Sequence, residues 1–330
     1  MSQTVLKSAG GLPLAERLGE RSSILGPLTV FFITFLLLVV GNVLAQGFAT
    51  PDHILLLLAL SSFLGIVAIG QTLVILTGGI DLSISWVITA SAVLFTGSTL
   101  GHTDNLALGL AIALGFGLAM GLVNGVGVAL VGISPIVMTL GMNSICQGLA
   151  LIYTNGTPFG SAPPPIQALA TEWFLNVPQV VIFWALVGAI AIAGLRLTRY
   201  GRMVYTFGEN PLVSRLSGFN NTTILIAVYM LSGLSAGVTG VLFSGFSRAS
   251  FLGMGAQFVM PSIAAVVLGG TSILGGRGGY GGTIIGAFFL TVLTTVLTIV
   301  NISVAFRSII YGLVILAAIL LNRLYIKEES

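Results

Sequence analysis

Few side chains in this sequence could do chemistry, and each of them stands alone. Residues 75–85 read ILTGGIDLSIS, and the nearest charged residues on either side of Asp81 are Asp52 and Asp104. A lone carboxylate can cap a broken backbone, accept hydroxyl protons from a polyol, or relay a proton; it cannot form the carboxylate pair of an intramembrane aspartyl protease. Gly233-Leu234-Ser235-Ala236-Gly237 spells the GxSxG of a nucleophile elbow. That motif needs a strand-to-helix turn and a histidine, whereas this one lies in a continuous apolar run and the two histidines, His53 and His102, fall near segment ends. Gly276, Gly278 and Gly281 form a GxGxxG with no preceding strand and no acidic residue about twenty positions on, so no dinucleotide site follows. The single cysteine, Cys146, provides neither a disulfide nor a thiolate cluster, and with two histidines no zinc set is available. The chain also lacks a GxxxxGK[ST] phosphate loop, and its two lysines, Lys7 and Lys327, sit in the tails. No nucleotide site or cofactor site is expected in this chain.

The elements that carry these residues are set by composition. Of 330 residues, 56% are hydrophobic and 6% charged, with mean hydropathy +1.09; soluble domains carry about 25% charged residues. In hydrocarbon the backbone must pair within its own segment or within a closed barrel, and continuous apolar runs select helices over alternating strands. The expected fold class is therefore an all-α polytopic membrane protein. Runs of about 20 apolar residues predict helices near 28–44, 53–77, 106–130, 135–154, 178–197, 222–246, 280–300 and 304–325. Two shorter runs, 83–98 and 258–270, are bounded by glycine-rich turns and suit discontinuous helices, which brings the expected total to about ten transmembrane helices.

With the N-terminus inside and sides alternating, Lys7, Arg17, Arg21, Arg196, Arg199, Arg202, Arg215, Arg277, Arg323 and Lys327 fall on the cytoplasmic side, against Arg248 and Arg307 outside. That asymmetry predicts cytoplasmic N- and C-termini and an inner-membrane location. It also assigns the net charge of +3 to orientation rather than to nucleic acid. Val43-Leu44-Ala45 after the first apolar run could be read as a signal-peptide cleavage site, but the 17-residue run exceeds the usual 7–15 and its removal would break the parity. In the N-terminal tail (1–26), Leu14, Leu18 and Leu25 set against Glu16, Arg17, Glu20 and Arg21 predict an interfacial helix over 12–25. The transmembrane body is expected over 27–325 and a short cytoplasmic tail over 326–330.

Glycine recurs every four residues at Gly117, Gly121 and Gly125, at Gly233 and Gly237, and at Gly278, Gly282 and Gly286. Each set predicts a helix face on which backbones approach closely.

The longest and most polar cytoplasmic connection is TRYGRMVYTFGENPLVSRLSGFNNT, residues 198–222. Asn210 reads as an N-cap, Pro211 as the first helical residue and Gly218 as the stop, defining a helix of about two turns outside the membrane. A helix that short is marginal in water and needs a surface to lie on. The competing reading is a solvated loop whose arginines only meet headgroups.

Four blocks then carry a resemblance. GQTLVILTGGIDLSIS (70–85), GLVNGVGVALVGISPIVMTLGM (121–142), YGRMVYTFGENPLVSRLSGF (200–219) and PSIAAVVLGGTSILGGRGGYGGTIIGA (261–287), in this order and spacing, resemble the membrane permeases of ribose/xylose/galactose-type ABC importers, over residues 53–320. Ser85 and Trp86 depart from that family's usual glycine and small residue, and Glu209 stands where glycine is common. The resemblance implies the ABC importer permease fold: a ten-helix subunit that pairs with a second permease, receives sugar from a periplasmic binding protein, and is driven by cytoplasmic P-loop ATPase subunits that hold the ATP and Mg. It implies that the segment around 210–218 is the ATPase-coupling helix, with Arg202, Tyr205, Glu209, Asn210, Pro211, Arg215 and Gly218 at or beside the dock.

Within the membrane, an ionised Asp on a continuous helix costs about 3 kcal/mol, more than a cap bond of about 1 and a helix-end field of about 0.3–1 kcal/mol return. Gly78 and Gly79 are expected to end one helix, and Asp81 or Ser83 to cap the next. The same broken-helix or translocation-path set includes Gln71, Asn124, Asn143 and Gln147, whose amides can either pass sugar hydroxyls or simply bond helix to helix. Two alternatives remain: a superfamily relative handling nucleosides or branched-chain amino acids, and a proton-coupled secondary transporter using Asp81 as its relay. The outer loop 155–178, proline-rich and carrying Trp173, is either a contact for the binding protein or a plain rim.

Overall fold

A computed structural model describes the backbone of residues 14–327 and the side chains of residues 28–317. The chain folds into α-helices joined by short turns: α1 (Leu14–Leu44), α2 (Pro51–Leu76), α3 (Ile84–Thr99), α4 (Leu106–Ala129), α5 (Pro135–Thr154), α6 (Pro164–Thr171), α7 (Gln179–Leu197), α8 (Arg199–Glu209), α9 (Pro211–Leu216), α10 (Asn221–Ser247), α11 (Val259–Leu268), α12 (Tyr280–Ile299) and α13 (Val304–Lys327). A two-residue antiparallel hairpin, β1 (Trp173–Phe174) and β2 (Val177–Pro178), precedes α7.

Six described helices are long and apolar enough to cross a membrane: α2, α4 with the turn before it, α5, α7, α10 and α12. Shorter apolar helical stretches occupy Leu28–Leu44, Ile84–Thr99, Ala256–Leu268 and Val304–Ala317. All coincide with runs expected from hydropathy. The amphipathic segment expected over 12–25 falls on residues whose side chains lie outside the described part, and the backbone from Leu14 already belongs to α1.

α2 and α10 form the centre. From Ser61 to Leu76 every residue of α2 is buried, which explains its near absence of sidedness: it is apolar all round because it is surrounded by protein. The glycine repeats determine how closely its neighbours approach. On α4, a Cβ at Gly117 would overlap the carbonyl of Gly233, one at Gly121 the carbonyl of Tyr229, and one at Gly125 would come within 2.7 Å of the Ile226 Cα. The two backbones therefore cross in direct contact. Gly282 and Gly286 likewise receive the backbone of α11 at Gly269 and Ala265. Gly278 departs from its expected place on that face: at φ 116° it sits in the turn before α12, because the helix begins at Tyr280.

Replacing Gly121 by valine is expected to push α4 off α10 and to lower the melting temperature of the detergent-solubilised protein by several degrees. Gly115→Val, where a Cβ meets nothing within 4 Å, is the matched control and should melt near the parent.

Three elements were not expected. α8 turns the first half of the 198–222 connection into a helix of its own, so the expected cytoplasmic helix, found at Pro211–Leu216, is the second arm of a helical pair. α6 and the β1–β2 hairpin organise the loop 155–178, which the sequence placed outside.

Candidate functional site

Two sites stand out, one at the break between α2 and α3 and one at the α8–α9 pair; they are joined by a backbone seam.

α2 ends in a Schellman motif. Gly78 has φ 77°, its N–H donates to the Ile75 carbonyl at 2.9 Å, and the Gly79 N–H donates to the Val74 carbonyl at 3.0 Å. The positive φ falls on Gly78, where no Cβ has to be accommodated. Extended backbone then leads to Asp81, which is 1% exposed. Its Oδ1 accepts from the Ser83 N–H at 2.9 Å and the Ser83 hydroxyl at 2.6 Å, and its Oδ2 accepts from the Ser232 hydroxyl of α10 at 2.7 Å. Asn124 Nδ2 of α4 donates to Ser83 Oγ at 2.9 Å, and the Thr139 hydroxyl of α5 reaches the Ile80 carbonyl at 3.3 Å. The carboxylate thus ties the α2–α3 break to α10 directly and to α4 through Ser83, and α5 holds the break separately through the Ile80 carbonyl. Ser232 lies eleven residues beyond the start of α10, so this knot sits roughly 17 Å from that helix end. Ser83 precedes α3 without capping it, since its hydroxyl is committed to Asp81.

Gly70 allows the knot to close, because a Cβ there would come within 2.5 Å of the Ser232 Cα. Around it, the amide of Gln71 (0% exposed), the Oδ1 of Asn124 and the hydroxyl of Tyr229 make no hydrogen bond among the described residues. Tyr229 stands beside Gly79, whose Cβ would lie 2.6 Å from the phenol oxygen. These are donors and acceptors in a buried place, where leaving such groups unpaired costs about 1–3 kcal/mol each.

The remaining expected path residues are both on α5 and part company. Asn143, half-buried on α5, accepts from the Trp86 N–H at 3.4 Å, whereas Gln147 is exposed on the outward face of α5 and takes no part in the break. Ser144 is exposed on that face with it.

At the other site, α9 has the start and stop its sequence predicts. Asn210 Oδ1 accepts from the N–H groups of Leu212 at 2.9 Å and Val213 at 3.3 Å, Pro211 opens the helix, and Gly218 (φ 81°) ends it. Asn221 clamps it from α10, donating to the Pro211 carbonyl at 2.8 Å and accepting from the Ser214 hydroxyl at 2.8 Å. The opposite side bears Leu212, Val213, Arg215 and Leu216, with Leu212 64% and Leu216 78% exposed. α8 buries Val204 and Phe207 and exposes Arg202 and Glu209. Arg202 therefore lies beside the α9 face and not on it.

The seam lies under α8. The Gly276 N–H donates to the Leu76 carbonyl at 2.9 Å, joining the last turn of α2 to the glycine-rich turn between α11 and α12. Gly208 of α8 rests on that bond so closely that a Cβ would overlap both partner atoms. The Tyr205 hydroxyl donates to the Gly278 carbonyl at 2.9 Å, and burial pushes this phenol above its ordinary pKa, keeping it a donor at neutral pH. Four residues lie between Leu76 and Asp81. Of this set the sequence pointed to Tyr205 and Asp81, whereas Gly208, Ser232, Tyr229 and Leu76 carried no local signal.

A bundle of apolar helices, broken between α2 and α3 and with six described helices long enough to cross a membrane, is the architecture of a membrane-embedded chain. Residues 53–319 match the family of branched-chain amino acid transport system/permease components, and the chain belongs to that family. Among its relatives, a ribose import permease protein of Bacillus subtilis (strain 168) is 35% identical over 303 residues, covering 91% of this chain and 92% of the relative. An autoinducer 2 import system permease protein of Escherichia coli O157:H7 is 32% identical, covering 89% of this chain and 86% of the relative. A fructose import permease protein of Rhizobium meliloti is 30% identical, with 90% and 84% covered. No solved structure matches the chain.

Proposed function

We propose that this chain is the membrane-spanning permease subunit of a bacterial ABC importer for a monosaccharide, a pentose or hexose, crossing the inner membrane about ten times with both termini in the cytoplasm. A second permease subunit, identical or not, would complete the passage. A periplasmic sugar-binding protein would deliver the solute, and cytoplasmic P-loop ATPase subunits would bind ATP and Mg and hydrolyse the nucleotide. The observation that carries this reading is α9: a six-residue helix, capped at both ends and held from behind by Asn221, presents Leu212, Leu216 and Arg215 outward from a chain that has no phosphate loop. Exposed leucines on a helix this short call for a partner surface.

The relatives named for ribose, fructose and autoinducer 2 support a polyhydroxylated solute. So do the Gln71 amide, the Asn124 Oδ1 and the Tyr229 hydroxyl, unpaired among the described residues, which can exchange hydrogen bonds with sugar hydroxyls when the bundle opens. The exposed amide of Gln147 and hydroxyl of Ser144 extend the same chemistry along α5. Access to the two sides would alternate as the ATPase subunits close and open. The family description also covers branched-chain amino acid permeases, so a panel of radiolabelled pentoses, hexoses, nucleosides and branched-chain amino acids offered to the reconstituted complex decides the solute class; uptake confined to the amino acids would overturn the sugar assignment.

For the docking assignment, Arg215→Glu and Pro211→Gly are expected to lower sugar-stimulated ATP turnover of the assembled complex several-fold while the permease pair still forms. ATP turnover equal to that of the parent in both variants would remove α9 from the dock.

A further inference from the structure

The β1–β2 hairpin is built around a strained turn that holds apolar side chains away from the protein. Trp173 pairs with Pro178 and Phe174 with Val177, so the turn consists of Leu175 and Asn176 alone. Both have positive φ, 49° and 61°, which is the geometry of a type I′ turn. Asn suits that conformation, but Leu is a genuine outlier in it. The strain presents a side chain that is 82% exposed, next to Phe174 at 58% and Trp173 at 42%.

What covers this tip follows from the helix it leads into. α7 begins at Gln179, directly after β2, and the Gln179 N–H donates back to the Glu172 carbonyl at 2.9 Å, so hairpin and helix are one connected unit. α7 has 19 residues with no charge before Arg196, and its length of about 28 Å matches the hydrocarbon thickness of a bilayer. Its outward stripe, Ile182, Leu186 and Ile190, is 43–63% exposed and contains no polar side chain, as a lipid-facing surface requires. The hairpin therefore stands at the depth where acyl chains give way to headgroups, where tryptophan and other amphipathic aromatics are most stable.

We propose that Trp173, Phe174 and Leu175 form a membrane anchor. On this assignment the hairpin tip lies in the headgroup–acyl boundary of the leaflet opposite α8–α9 and fixes the depth and tilt of α7. The Leu175 backbone strain is then compensated by lipid contact. The assignment is independent of which solute the chain passes. It replaces the sequence-based alternative in which this loop is a contact for a soluble binding protein.

The test uses the full-length chain in phosphatidylcholine vesicles brominated at acyl carbons 6,7 or 11,12, comparing the parent with Trp173→Phe. The chain has three tryptophans, of which Trp184 is 5% exposed and Trp86 half-buried on α3, so the difference between the two proteins isolates Trp173. The expected result is that the emission lost in Trp173→Phe is quenched by both lipids, at least about twofold more by the shallow bromines. Emission from Trp173 that neither lipid quenches overturns the anchor. So does emission that lipid leaves untouched and that changes only when a soluble binding component is added. A second variant, Leu175→Gly, relieves the strained φ and removes the tip side chain; it is expected to keep its fold and to lose part of the shallow quenching at Trp173. Undiminished quenching would remove Leu175 from the anchor.

Discussion

Replacing Gly208 by valine is expected to lower ATP-driven uptake by at least about tenfold in proteoliposomes, with the permease still assembled with its ATPase subunits. The argument begins from the bond that Gly208 covers. The Leu76 carbonyl accepts from the Gly276 N–H, and this hydrogen bond joins the end of α2 to the turn that carries α11 into α12. Any Cβ at position 208 overlaps both atoms, and α8 cannot back away without lifting Val204 and Phe207, which are buried on the same side of the helix. Overpacking of this kind costs about 1–3 kcal/mol, and about 1.4 kcal/mol is tenfold in an equilibrium. The cost falls on the one arrangement in which α8 touches both broken-helix turns at once. Asn210 alone separates α8 from α9, so on the proposed docking any displacement of α9 reaches the seam through a helix and not through a flexible loop. Gly194→Val on α7, where a Cβ meets nothing within 4 Å, should transport like the parent. Parental uptake by Gly208→Val would show that the seam carries no coupling. Tyr205→Phe removes one hydrogen bond, to the Gly278 carbonyl, and should weaken uptake in the same direction by less, since a neutral bond is worth about 1 kcal/mol.

That seam is also where the sequence stopped being informative. The start and stop of α9 were legible because capping is local: Asn210, Pro211 and Gly218 act within a few residues of themselves. The broken pair was legible for the same reason, from Gly78, Gly79 and a carboxylate with no charged neighbour. The glycine repeat on α4 predicted close packing, but its period cannot name the partner helix, and Gly233, more than a hundred residues away, is found only in the fold. Ser232 is 151 residues from Asp81 and looks like any serine in a membrane helix. α8 did leave a signal: Tyr200, Met203, Val204 and Phe207 recur at helical spacing and all face inward, but Arg199 and Arg202 beside them made the stretch read as a loop. The hairpin was hidden by its turn, since Leu-Asn lacks the glycine that normally marks a type I′ connection. Gln147 was grouped with the broken-helix or translocation-path residues by polarity alone, and α5 places it on an exposed face away from the break.

Asp81→Asn is expected to transport at a rate within roughly fivefold of the parent, while Asp81→Leu is expected to lose several degrees of thermal stability and most of its uptake. The contrast follows from what the carboxylate does in the knot. Oδ1 accepts twice from Ser83, and an amide oxygen in its place can accept the same two bonds. Oδ2 accepts from Ser232, and an amide nitrogen there must donate instead; the Ser232 hydroxyl can rotate to receive it and send its own proton to the helix carbonyl four residues back, as the Thr239 hydroxyl does to the Ser235 carbonyl at 2.9 Å. The net loss is about one neutral hydrogen bond, about 1 kcal/mol, or roughly fivefold. Leucine removes all three acceptances: the Ser232 hydroxyl can turn to its own helix, but the Ser83 N–H and O–H are left buried without an acceptor, at about 1–3 kcal/mol each. The Asn124 bond to Ser83 then loses its anchor, and the contact between α3 and α4 weakens with it. A proton relay reverses the ranking, since Asn cannot exchange a proton and would abolish uphill uptake however well it packs. Uptake by Asp81→Asn in vesicles whose proton gradient has been collapsed, with ATP supplied to the assembled complex, separates the two. Persistence assigns Asp81 to the backbone of the break, and loss of uptake at parental protein level assigns it to the relay.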